Sequence, residues 1–214
     1  MELPSTLSEL ELSLKGCTAC ELCQNRTQVV FGRGNPRAAL MFVGEGPGAD
    51  EDRLGYPFVG KAGQLLDKII AAAALPAEDI YIANVVKCRP PGNRLPNPAE
   101  VETCKIFLRR QIQIVKPEII VCLGALAAQL LVSPAAKITR IRGQWVEKGR
   151  IAIMPTFHPA ALLRDESKKR PVWEDMKAVK LRYDKNKETI KIKRRVRICQ
   201  GLNIYKLLKI ILVL

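Results

Sequence analysis

Residues 39–52 read ALMFVGEGPGADED: five apolar residues, Ala39 to Val43, halted by Gly44-Glu45-Gly46-Pro47-Gly48 and a run of acids. An apolar run of strand length bounded by glycine and proline is a strand buried on both faces, with a sharp turn where it leaves the sheet. Three comparable runs follow: Ile80–Val86, Ile119–Leu123, and Ile151–Met154, closed by Pro155. Helical stretches separate them, at 61–74 (KAGQLLDKIIAAAA), at 98–115, and from Ala125 onward. The second has a capping residue in Asn97, Pro98 at its first position and Glu100 in its first turn. This alternation predicts an α/β fold, with a central four-stranded parallel sheet flanked by helices. Ligands of such sheets collect beyond the carboxyl ends of the strands. The loops after the first, second and fourth strands, the three most unusual in the chain, all leave from that side.

At the N-terminus, Leu3, Leu7, Leu10 and Leu14 recur at helical steps, so residues 5–15 read as a short amphipathic helix ending at Gly16. At the other end the composition changes after about Tyr183. Residues 176–214 hold twelve Lys/Arg against Asp184 and Glu188, which is +10 of the formal +14. Net charge therefore points to polyanions mainly through the tail and weakly through the body. We expect one domain over residues 1–183 and a basic-apolar extension over 184–214, read as a poorly packed terminus, a DNA tether or a partner-binding helix. The start lacks the pattern of a secretory signal, and the longest purely apolar run, Ile210 to Leu214, is far too short to span a bilayer. A soluble, cytoplasmic and monomeric protein is expected.

Seven cysteines in such a chain favour metal binding or buried thiols over disulfides. Cys17, Cys20 and Cys23 form C-x2-C-x2-C, and Cys88 and Cys104 flank a Pro-rich loop. Four soft thiolates in two groups suit a tetrahedral zinc site or a 4Fe–4S cluster, and spacing alone separates neither these metals nor the place of Cys23. Cys122, inside an apolar strand, and Cys199, in the tail, read as plain thiols.

Chemistry gathers in the loops. The turn after the first strand carries Gly44, Gly46 and Gly48, which admit close backbone approach, and the acids Glu45, Asp50, Glu51 and Asp52. Without a following Lys-Ser/Thr it is a poor phosphate cradle and a better acidic pocket. His158, the chain's one histidine, directly follows the fourth strand in Thr156-Phe157-His158-Pro159, so any imidazole role is its own. Asn84 lies near the carboxyl end of the second strand, where an amide can donate and accept at once. Phe58, in Tyr56-Pro57-Phe58-Val59-Gly60, offers a ring on which a base could stack.

Four stretches in order, CTACELCQNRTQVVFGRGNP, GEGPGADEDRLGYPFVGKAGQLLD, NVVKCRPPGNRLPNPAEVETC and FHPAALLR, closely resemble family 4 of the uracil-DNA glycosylase superfamily, the iron–sulfur type of bacteria and archaea. The resemblance spans about Cys17 to Val179 and omits the tail. It implies a structural 4Fe–4S cluster on Cys17, Cys20, Cys88 and Cys104, leaving Cys23 a bystander. It implies uracil-containing DNA as substrate, with Phe58 stacked on a flipped uracil, Gly46 lining its pocket, Asn84 pairing with its polar edge and His158 bonded to its O2. Glu45 and Glu51 would share the tasks of positioning water, lining the pocket or stabilising the sugar cation, in a division left open. Leu162-Leu163-Arg164 would supply an apolar wedge and a phosphate contact. The loop Gly92–Asn97 lacks the histidine with which a related branch links covalently to DNA, and no lysine is placed as an amine nucleophile. A monofunctional glycosylase without lyase activity is therefore expected. A non-catalytic iron–sulfur binder of nucleic acid and an enzyme for another deaminated base are the competing readings.

Overall fold

The computed structural model describes the backbone of residues 4–211, and side chains through Thr189 and at Ile192. The four expected strands are present as β2 (Leu40–Gly44), β3 (Ile80–Asn84), β4 (Ile119–Leu123) and β6 (Ile151–Thr156). They pair in parallel, and their residues are almost all buried, because helices cover both faces of the sheet. Two short strands absent from the sequence reading extend it to six: β1 (Arg33–Gly34) and β5 (Val146–Lys148) pair antiparallel with β3 and β6. The order is β1-β3-β2-β4-β6-β5. Connections reverse direction at β2, so the crevice beside its carboxyl end is the switch point where a ligand is expected.

The helices are α1 (Leu7–Leu14), α2 (Ala49–Leu54), α3 (Lys61–Ala72), α4 (Pro98–Val115), α5 (Ala125–Leu131), α6 (Ile138–Ile141), α7 (Pro159–Arg164) and α8 (Lys169–Ile211). Helix α4 starts where its cap residues predict, with the Glu100 carboxylate accepting the Asn97 N–H at 2.7 Å. Short α2 was not anticipated. It takes up most of the acidic run, and carboxylates in a first turn face the positive end of the helix dipole.

Helix α8 runs through Tyr183 and Asp184 without a break. Tyr183 is buried and donates its hydroxyl to Asp79, Lys187 pairs with Asp79, and Asn186 donates to Glu118 at 2.9 Å. The start of the supposed extension is thus docked on the body. Cys199 and the basic residues beyond Ile192 lie outside the described side chains. Among the described residues no helix is long and apolar enough to cross a membrane.

Candidate active site

The carboxyl ends of the central strands open onto a cavity of about 440 Å³, an ordinary size for a small-molecule site. Glu45, Gly46, Glu51, Phe58, Asn84, His158 and Arg164 all line it. The Pro-rich loop adds Pro90, Asn93, Arg94 and Leu95, which the sequence reading left out. A loop rich in Pro, Gly and Asn signals a turn but not the direction in which it folds.

His158 caps α7. Its Nδ1 accepts the Ala160 N–H at 3.1 Å, so the proton of the neutral ring belongs on Nε2. Burial pushes the imidazole pKa down to about 4, helped by the Arg164 charge and opposed by Glu51. Near pH 7 the ring is an uncharged donor. Gly124, at φ +96°, lets β4 turn away beneath it, since an added Cβ would stand 3.1 Å from the His158 Cβ.

The Phe58 ring lies 5.6 Å from the His158 ring, tilted by 33°. Its backbone is left-handed (φ +57°), a conformation that costs a bulky residue on the order of 1–3 kcal/mol and persists only when neighbours enforce it. Two clamps do so. Arg33, paired with Asp67 at 2.8 Å, donates to the carbonyls of Pro57 (3.0 Å) and Phe58 (3.3 Å). The Glu51 Oε1 accepts from Val59 and Gly60, both at 2.9 Å, while its Oε2 accepts from Gly48 at 3.1 Å.

The run of four acids therefore divides by partner. Asp52 is buried and takes the Thr27 N–H at 3.0 Å, and Asp50 faces Arg53 at the surface, 3.6 Å away. Glu51 is committed to backbone donors. Glu45 has no side-chain hydrogen bond or ion pair among the described residues. Burial raises its pKa, with Arg164 opposing. Of the four, Glu45 is the one that lines the cavity with no hydrogen-bond or ion-pair partner among the described residues.

Asn84 is 2% exposed, and its Oδ1 is buried without a partner. An unsatisfied buried acceptor costs about 1–3 kcal/mol, which a ligand donor would recover. The space around it is shaped by Gly44, where a Cβ would stand 2.4 Å from that oxygen and 2.5 Å from the Phe58 ring.

At the α7 end the expected wedge divides between two environments. Leu162 is 2% exposed and belongs to the core, while Leu163 is 52% exposed. Consecutive helix residues point about 100° apart, so with Leu162 turned inward it is Leu163 that is presented to solvent.

A family model for the uracil DNA glycosylase superfamily matches residues 31–177. The chain belongs to this superfamily. It is 47% identical over 183 residues to a type-4 uracil-DNA glycosylase of Thermotoga maritima, covering 84% of this chain and 94% of that protein. It is 43% identical over 166 residues to one from Archaeoglobus fulgidus (74% and 83%), and 41% over 184 residues to one from Sulfurisphaera tokodaii (82% and 84%).

In this uracil-DNA glycosylase family member the cysteines also converge. Cys17, Cys20, Cys88 and Cys104 line one small cavity between α1, α4 and the end of the β3 segment, and Cys23 does not. Arg26 donates to the Cys88 sulfur at 3.2 Å, and the Lys87 N–H to the Cys104 sulfur at 3.3 Å. Burial pushes the Cys104 thiol up to about 11 and raises Cys88 and Cys20, so bare thiolates are costly there. Among the described residues no three His, Cys, Asp or Glu side chains form a ready metal-binding group. Cys122 is a buried strand thiol, as expected.

Proposed function

We propose that the chain is a monofunctional uracil-DNA glycosylase that hydrolyses the N-glycosidic bond of deoxyuridine in DNA, leaving an abasic site for repair. The observation that carries the reading is one cavity uniting an aromatic ring, an unsatisfied amide oxygen, a neutral imidazole donor and an unpaired carboxylate. Each matches one demand of the reaction. A base must leave the stack to be reached, and uracil opposite guanine is cheaper to flip than a correctly paired base. Phe58 would take its face. The Asn84 Oδ1 would accept the uracil N3–H while its amide donates to O4.

As the bond breaks, negative charge gathers on the base and positive charge on the sugar. The His158 Nε2–H, already neutral and oriented, would donate to O2 where the charge develops. Glu45, once ionised, would stabilise the sugar cation or align the attacking water. Glu51 would act indirectly, as the residue that positions Phe58. Arg164 would meet a phosphate, and Leu163 would fill the gap left by the flipped base.

The four convergent thiols, with N–H donors on two of them, fit a 4Fe–4S cluster held by Cys17, Cys20, Cys88 and Cys104. Bound there, it would staple α1 to α4 and to the strand end carrying Asn84.

The test is excision on an end-labelled oligonucleotide with one uracil, read with and without alkali. Strand cleavage only after alkali is expected. Cleavage without alkali would reveal a lyase step, and no cleavage in single- or double-stranded DNA by iron-loaded protein would overturn the assignment.

A further inference from the structure

Lys87 is 0% exposed, and its ammonium donates to the Asn84 carbonyl at 2.7 Å and the Gln111 Oε1 at 2.6 Å. No carboxylate pairs with it among the described residues. A buried, unpaired ammonium is expensive unless its surroundings supply negative charge. The cavity it borders is that of the four cysteines, and its own N–H donates to the Cys104 sulfur.

The same five residues run from one site to the other. Asn84 is in the uracil pocket. The Val85 and Val86 N–H groups hold the carbonyls of Gly44 and Glu45 at 2.9 and 3.1 Å, and Cys88 lines the cysteine cavity. The Lys87 side chain folds back across this segment to grip it at Asn84. Gln111 anchors the far side, donating to the Phe31 carbonyl (2.9 Å) and the Tyr81 hydroxyl (3.1 Å).

We propose that Lys87 is a positioning residue that couples the cysteine centre to uracil recognition. Its ammonium, balanced by the negative charge of the thiolate-bound cluster, pins the backbone of Asn84 so that the amide meets the base. The inference rests on Asn84 reading uracil, as proposed above. It makes the cysteine centre more than a distant staple, because the charge at that centre is what allows a cation to sit behind the pocket.

The test is a double-mutant cycle on iron-loaded protein with Lys87→Met and Asn84→Ala, reading iron content, KM and kcat on uracil oligonucleotides. Lys87→Met is expected to retain iron and to lower kcat/KM at least tenfold, and to cost little further in the Asn84→Ala background. An equal loss in both backgrounds, or no loss in either, overturns the coupling. If Asn84→Ala alone excises normally, the reading of Asn84 fails instead, so the two failures are distinct. Should Lys87→Met not fold, Gln111→Met removes the other acceptor of the ammonium. It must show the same dependence on Asn84, and an equal loss in both backgrounds overturns the proposal.

Discussion

The Glu51 carboxylate accepts the N–H groups of Val59 and Gly60, the two residues that follow Phe58, and so holds that ring's strained backbone against α2. Acidic residues in a glycosylase pocket invite a catalytic reading, yet here one of two is spent on geometry. Glu51→Ala removes charge-assisted bonds worth about 1–3 kcal/mol. Thermal unfolding should show that loss, and excision kinetics should weaken mainly through KM. A fall confined to kcat with unchanged stability would return Glu51 to the chemistry.

The roles proposed for Glu45 and His158 fix what the acid side of the pH profile should show. In that proposal Glu45 acts ionised, and burial raises its pKa, so the acid limb should lie above the ordinary glutamate value. His158 is already held down to about 4, so no inflection should appear near pH 6.5. His158→Ala should cost two orders of magnitude or more in kcat, as loss of an oxyanion donor does. Glu45→Gln should be as inactive but no less stable at pH 7. A raised carboxylate pKa means that the folded state holds the proton more tightly, so the charged form costs stability above that pKa. A destabilised Glu45→Gln protein would contradict this.

The two leucines of α7 should separate cleanly. Leu163→Ala, at an exposed position, should leave the melting temperature unchanged and slow excision more in double- than in single-stranded DNA, where no gap needs filling. Leu162→Ala opens a cavity in the core and should cost about 2–5 kcal/mol. Equal unfolding midpoints for the two variants would refute the assignment.

Among the cysteines, Cys104→Ala should lose the brown chromophore and lower stability, while Cys23→Ala should keep full iron content. Iron retained by Cys104→Ala with loss in Cys23→Ala would exchange their roles.

What could be read in the chain alone was whatever short-range chemistry dictates. Apolar runs such as Leu40–Val43 and Ile119–Leu123, bounded by turn residues, favour buried strands, and Asn97-Pro98 with Glu100 favours a helix start. The ordered motifs carried the family, and with it the residues that the fold brings into one cavity. The edge strands Arg33–Gly34 and Val146–Lys148 were invisible, because segments so short and polar have no periodicity and exist through the strands they pair with. Tertiary structure alone decided which acid is free, since Asp52 and Glu51 are claimed by backbone donors 25 and eight or nine residues away in the chain. It alone turned Leu162 inward and docked Asn186 and Lys187 on the body. Residue type and spacing announce what a side chain can do, but a hydrogen bond or a buried face is allotted only when distant segments meet and compete for it.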